Sequence, residues 1–129
     1  MIVLDSSATV HLFANLARAD WVRGQLQLES IHAPSLLDVE VANALRGLVA
    51  RGELAQTDAR RALDDYSDVA LRRYPHTFLL GRIWQLRTHV TAYDAAYIAL
   101  AEALDAPLVT TDLRLARSHG HRARIVAPS

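Results

Sequence analysis

Cysteine and lysine are both missing from these 129 residues. Without thiols there is no disulfide, no thiolate nucleophile, no zinc ribbon and no iron–sulfur cluster. Without an ammonium group there is no Schiff-base chemistry and no phosphate-binding P-loop lysine. A phospho-accepting receiver domain would suit the length and the early aspartate, but it also needs a lysine. Charge of one sign is lacking too: 14 arginines meet 14 acidic residues, which removes a basic nucleic-acid coat or an acidic tail as the sense of the whole chain. No apolar run reaches the ~18–20 residues of a membrane span. Met1 leads straight into Ile2-Val3-Leu4-Asp5, without the basic start of a secretory signal. The expectation is a soluble, cytoplasmic protein with no membrane partner.

What is present is a 51% hydrophobic chain, enough for one domain over residues 1–129 with one core. Ile2-Val3-Leu4 suits a buried strand that Asp5-Ser6-Ser7 stops, with a helix over about 7–15. Asp20 caps a second helix, and Ile31-His32-Ala33 suggests a strand that Pro34 ends. Ser35-Leu36-Leu37-Asp38 has the form of a capping box opening a helix to about Arg51, its core stripe being Leu37, Val41, Leu45 and Leu48. Thr57-Asp58 starts another helix to about Tyr66, and strand character follows at 69–71. Helices are expected over 78–88, from Thr91 to Leu104 and over 112–117, and strands at 106–110 and 123–126. Strands alternating with helices give an α/β fold with a mainly parallel central sheet flanked by helices.

Two of the best strands end in an aspartate within two residues, at Asp5 and Asp112. In a parallel sheet the C-terminal strand ends share one edge, where such proteins place ligands. Asp94 falls in the first turn of its helix. Glu40 falls in the second turn of its own, beside the core stripe rather than opposite it. Each acid has a plainer role open to it: Asp5, Asp94 and Asp112 as helix caps and Glu40 as a solvated side chain. Together they describe a negative pocket that must shift its pKa values or recruit a cation. With oxygen ligands and no thiolates, magnesium or manganese is the natural occupant, and such an ion on phosphate oxygens promotes phosphodiester hydrolysis by an activated water.

The chain resembles the PIN-domain family, and within it the short VapC-type toxins of bacterial toxin–antitoxin pairs. The match is carried by Ile2-Val3-Leu4-Asp5-Ser6-Ser7, by Glu40-Val41-Ala42-Asn43-Ala44-Leu45-Arg46, by Tyr93-Asp94-Ala95-Ala96-Tyr97-Ile98-Ala99-Leu100-Ala101 and by Leu108-Val109-Thr110-Thr111-Asp112, in order along nearly the whole chain. The resemblance implies a PIN-like three-layer sandwich and a catalytic quartet at Asp5, Glu40, Asp94 and Asp112 holding Mg2+ or Mn2+ for cleavage of RNA. It also implies a homodimer and neutralisation by a small cognate antitoxin whose tail lies near the acidic pocket and sends an arginine into it. Ser6 and Thr110 match hydroxyl positions beside the acids. Where many relatives carry a further acid after the fourth, this chain has Leu113-Arg114-Leu115, which leaves a second metal site in question.

Arg114 and Arg117 follow Asp112 closely and are candidates for RNA phosphates, with solvated surface arginine as the plainer reading. Arg46, Arg51, Arg72, Arg73, Arg82 and Arg87 are further cations whose shared faces the sequence does not define. His119 and His121 lack the spacing of a metal cage. Trp21 and Trp84 are expected in the core. The competing function is a non-catalytic scaffold that keeps the fold and binds protein or RNA, which predicts no metal-dependent cleavage.

Overall fold

Short apolar runs cannot satisfy their backbone groups alone, and in the computed structural model, which describes residues 1–129, five of them align as one parallel sheet. The strands are β1 (Ile2–Leu4), β2 (Ile31–Pro34), β3 (Leu71–Tyr74), β4 (Leu108–Val109) and β5 (Ile125–Val126). Their spatial order is β3-β2-β1-β4-β5. The chain therefore builds outward from β1 on one side, then returns to add β4 and β5 on the other. That reversal puts a topological switch point between β1 and β4, where Leu4 pairs with Val109.

The helices are α1 (Ser6–Phe13), α2 (Ala19–Leu26), α3 (Leu36–Ala50), α4 (Gln56–Asp68), α5 (Leu80–Gln85), α6 (Ala92–Leu104) and α7 (Leu113–Ala116). Alternation along the strands divides the apolar residues between two faces. Val3, Ala33 and Leu108 join the main core with Leu37, Val41, Leu45 and most of α6, while Ile2, Leu4 and Val109 pack with Ala8 and Val22. Helix α6 is buried continuously from Ala95 to Leu100 and on to Ala101, and its alanines let it lie close against the sheet. Glu102, near its end, is almost fully covered and takes a bidentate pair from Arg82 of α5 at 2.8 and 3.0 Å. The backbone N–H of Arg122 donates to the same carboxylate at 2.9 Å.

Several sequence expectations shift in place. Ser35 has helical backbone and caps nothing; Asp38 instead accepts from Tyr66 Oη at 2.5 Å and from Arg73 Nε at 2.9 Å, so the capping box is replaced by a tertiary tie. The third strand lies at Leu71–Tyr74 rather than 69–71, and helix α4 starts before Thr57 with Ala55 as its cap residue. The helix expected over 78–88 is a 3-10 turn at Thr77–Leu79 followed by the shorter α5. Trp21 packs against the smaller core cluster, but Trp84 is 67% exposed, with the Arg87 guanidinium 4.6 Å above its ring. Gly120 is required: its φ is +88°, and a Cβ there would meet the His89 ring at 2.4 Å.

Candidate active site

The switch point collects the acids. Asp5 follows β1 with extended backbone and caps α1, so its carboxylate Oδ1 accepts from the Ala8 N–H at 2.9 Å and from Ser7 Oγ at 2.8 Å. Its Oδ2 accepts from Thr110 Oγ1 at the end of β4, 2.5 Å away. Thr110 Oγ1 also accepts from the Asp112 N–H at 2.9 Å, and Ser7 Oγ accepts from the Thr111 N–H at 3.1 Å. Two hydroxyls thus stitch the ends of β1 and β4 together. The hydroxyl on Asp5 is that of Ser7 and not of Ser6, because Asp5 starts the helix and its cap geometry faces the residue two positions on.

Asp112 caps α7, its Oδ1 accepting from the N–H groups of Arg114 and Leu115 at 2.9 and 3.3 Å. Asp94 sits in the first turn of α6, its own N–H held by Thr91 Oγ1 at 3.2 Å. Glu40, in the second turn of α3, accepts from Tyr97 Oη at 2.6 Å. Tyr97 is one helical turn beyond Asp94, on the same face of α6, and is 2% exposed. Sequence reasoning assigned Tyr97 no role, although its i+3 spacing from Asp94 was the signal that could have found it. Every buried side-chain polar atom in the protein has a hydrogen-bond partner.

Arg114 closes the arrangement from outside. Its Nη2 lies 3.1 Å from Asp94 Oδ2 and 3.2 Å from Asp112 Oδ2, while most of the side chain stays in solvent. The same guanidinium so bridges acids carried by α6 and by the β4–α7 turn. Arg117 is exposed just after that short helix, as its C-terminal cap residue.

Burial governs the titration of the two innermost acids. It pushes the Asp5 carboxyl up to about 6, against the lowering effect of the bonds from Ala8, Thr110 and Ser7, and the charge of Asp112 adds to the rise. Burial also raises Glu40, with the Tyr97 bond opposing and the Asp94 charge adding. Arg114 is raised first by its bond to Asp94, then by the charge of Asp112. The charge of Asp112 thus reaches Asp5 and that of Asp94 reaches Glu40, and Arg114 bonds both outer acids. As the side chains stand, no three of them converge tightly enough to hold one ion. The donor set is nonetheless all oxygen, which suits a hard divalent cation.

Other sequence candidates lie apart from this centre. His119 packs edge-on against His89, ring centroids 5.2 Å apart. His121 shares a bond with Ser118 Oγ at 2.9 Å and accepts from the Ala123 N–H at 3.2 Å. Arg73 and Arg82 are held by Asp38 and Glu102, and Arg72 lies over the Tyr74 ring at 5.6 Å. Arg46 and Arg51 lie on α3 and its end, beside Ser6 and Ser7.

A parallel sheet of this order, with carboxylates from four separate elements gathered at its switch point, defines an α/β protein with an acidic site at the strand ends. The chain belongs to the PIN domain family, which matches it over residues 2–119. It is similar to ribonuclease VapC9 of Mycobacterium tuberculosis, with 46% identity over 115 residues, 89% of this chain and 88% of that protein. Among solved structures, it resembles Mycobacterium tuberculosis VapC20, a toxin that cleaves the sarcin–ricin loop, at 15% identity with a TM-score of 0.67, covering 90% of this chain and 93% of the other. It resembles equally VapBC2 from Rickettsia felis, solved bound to a DNA fragment from the promoter of that pair, at 18% identity with a TM-score of 0.68 and 98% of each chain covered. These two likenesses concern the fold.

Proposed function

We propose that this chain is a cytoplasmic, metal-dependent endoribonuclease that acts as the toxin of a toxin–antitoxin pair. The observation that carries the reading is the gathering of Asp5, Glu40, Asp94 and Asp112 at one sheet edge, with a cationic guanidinium already between two of them. The naming of the 46%-identical relative as a ribonuclease supports RNA as the substrate class. The PIN family resemblance extends the proposal to a homodimer and to a small antitoxin that occludes the site.

Asp5, Glu40, Asp94 and Asp112 would hold Mg2+ or Mn2+. Bound there, the cation would supply Lewis-acid polarisation of the phosphodiester and lower the pKa of an attacking water. The protein's own groups do the rest. Thr110 and Ser7 fix both oxygens of Asp5, and Tyr97 fixes one oxygen of Glu40, leaving its other oxygen free to act as a ligand. Arg114, which bonds Asp94 and Asp112 from the solvent side, is the guanidinium at this edge that would pair with a phosphate of the substrate.

The test is cleavage of total cellular RNA by purified protein with Mg2+ or Mn2+, beside a chelator control and the Asp94→Asn variant. Discrete products that vanish in both controls support the reading. Intact RNA with wild-type protein, folded and free of antitoxin, would overturn it in favour of the binding scaffold.

A further inference from the structure

A second feature adjoins the acids on the α1–α3 side. Between these helices runs an open cleft of about 450 Å3, bordered by Ser6, Ser7, His11, Asn43, Arg46 and Arg51. It opens directly on the candidate site, because Ser7 Oγ is the group bonded to Asp5. Asn43 stands one turn beyond Glu40 on the same side of α3. From Asn43 to Arg51 the helix carries the cleft about 12 Å away from the acids, at 1.5 Å per residue.

We propose that this cleft seats the single-stranded RNA next to the bond to be cut, with Arg46 and Arg51 on its phosphates. The inference rests on the ribonuclease reading above and names where the substrate's flanking nucleotides lie.

Four observations carry it. No acidic residue lines the cleft, although the site it opens on is made of carboxylates, so charge reverses sign within a few residues. Arg46 has no carboxylate partner; its Nε donates only to Asn43 Oδ1, at 3.2 Å, which aims the planar fork without neutralising it. Arg51 folds back over Gly47, where a Cβ would approach its Nη1 to 3.0 Å; its Nε and Nη2 donate to Glu53 at 3.3 and 3.4 Å, which leaves Nη1 as the donor on the cleft side. His11 accepts from the Arg18 N–H at Nδ1, 3.1 Å away, which leaves Nε2–H as a neutral donor suited to a base edge or sugar hydroxyl.

A different cleft, bordered by Arg23, Asp58, Arg61 and Asp65 beside Leu12, Phe13 and Leu26, has the opposite character. Its two arginines are balanced by two aspartates, Arg61 pairing with Asp58 at 2.8 Å, and its acids would repel phosphates. The α1–α3 cleft, with the Arg46 guanidinium free of any carboxylate and with hydroxyls along its wall, suits a polyanion.

The experiment measures binding of a short, mixed-sequence, fluorescein-labelled single-stranded RNA by anisotropy, in chelator so that it is not cut, across a salt series. Wild type is compared with Arg46→Ala and Arg46→Lys, and circular dichroism shows that each is folded; residue 46 is exposed, and alanine is a strong helix former. The expected result is roughly tenfold weaker binding for Arg46→Ala, the worth of one charge-assisted contact. Its slope of log K against log salt should fall by about 0.7, and Arg46→Lys should keep the slope. Wild type that cuts RNA while Arg46→Ala retains both affinity and slope overturns the cleft assignment and leaves the nuclease reading standing. Wild type that neither binds nor cuts RNA overturns both. Unchanged RNA binding together with lost binding of a protein inhibitor would also overturn the assignment and make the cleft a polypeptide site.

Discussion

At Asp5 the anchoring and the chemistry of the carboxylate oppose each other. Three donors hold it in place, yet burial makes its ionised form costly enough to push the carboxyl up to about 6. A carboxyl raised in the folded state binds its proton more tightly there than in the unfolded chain, so the stabilisation is complete below pH 4 and is lost as the pH rises through 6. Between pH 4 and 7 metal-free wild type should therefore lose about 2 kcal/mol more than Asp5→Asn, at roughly 1.4 kcal/mol for each tenfold gain in proton affinity over a carboxyl titrating at 3.8. Urea unfolding at the two pH values checks this, and parallel losses in both proteins would refute it. Arg114 is the complementary case, an exposed cation between Asp94 and Asp112. Removing it in Arg114→Ala should tighten Mn2+ binding a few-fold, as measured by titration without RNA, because the ion no longer displaces a guanidinium. Weaker Mn2+ binding would instead make Arg114 a support for the ligand geometry. The four acids were legible as residues at strand ends and helix starts. Ser7 was not distinguishable from Ser6 without knowing where α1 begins, and Tyr97 was hidden inside an apolar, alanine-rich helix.

Among the elements, those whose pattern is local came through and those set by partners did not. β1 is an apolar run ended by Asp5, β4 is one followed by two threonines and Asp112, and α6 has Thr91 at its cap, accepting from the Asp94 N–H as its spacing suggests. β3 fails as a pattern because it is an edge strand with Arg72 and Arg73 exposed at its centre, and only pairing with β2 makes it a strand. The Ser35–Asp38 box fails because Tyr66 and Arg73, more than 25 residues away, take the Asp38 carboxylate. A similar distant tie governs α5. This short helix buries no residue of its own and is held to α6 by Arg82 on Glu102, a carboxylate kept below its ordinary range by that guanidinium first. Arg82→Met should cost about 2–4 kcal/mol in thermal or urea unfolding, since it leaves a covered carboxylate with only the Arg122 N–H. Arg82→Met with Glu102→Gln should recover most of that loss. If the double variant is no better than the single, the cost lies in lost packing of the arginine stem rather than in the stranded charge.

For the whole molecule, the β3-β2-β1-β4-β5 order makes the acidic edge a seam. Asp5 belongs to the half built first and Asp112 to the half added by the returning chain; Thr110 and Ser7 join them, while α3 and α6 bring in Glu40 and Asp94. A ligand shared by these four acids would cross-link both halves, so its binding energy would appear as folding stability. The same site that penalises stability at neutral pH when empty of counter-charge should then become stabilising when a cation is supplied. With Mn2+ at a hundredfold excess over its Kd, single-site linkage gives about 2.7 kcal/mol, and for a domain of this size a rise of several degrees in Tm. Wild type should show that rise, and Asp94→Asn should show much less at the same concentration, although both fold. The comparison also separates metal binding from catalysis, because it needs no RNA. Equal rises in the two proteins would put the ion elsewhere on the surface. No rise in either, at concentrations that support cleavage by wild type, would mean that the ion enters only together with the phosphate, with Arg114 holding the acids until substrate arrives.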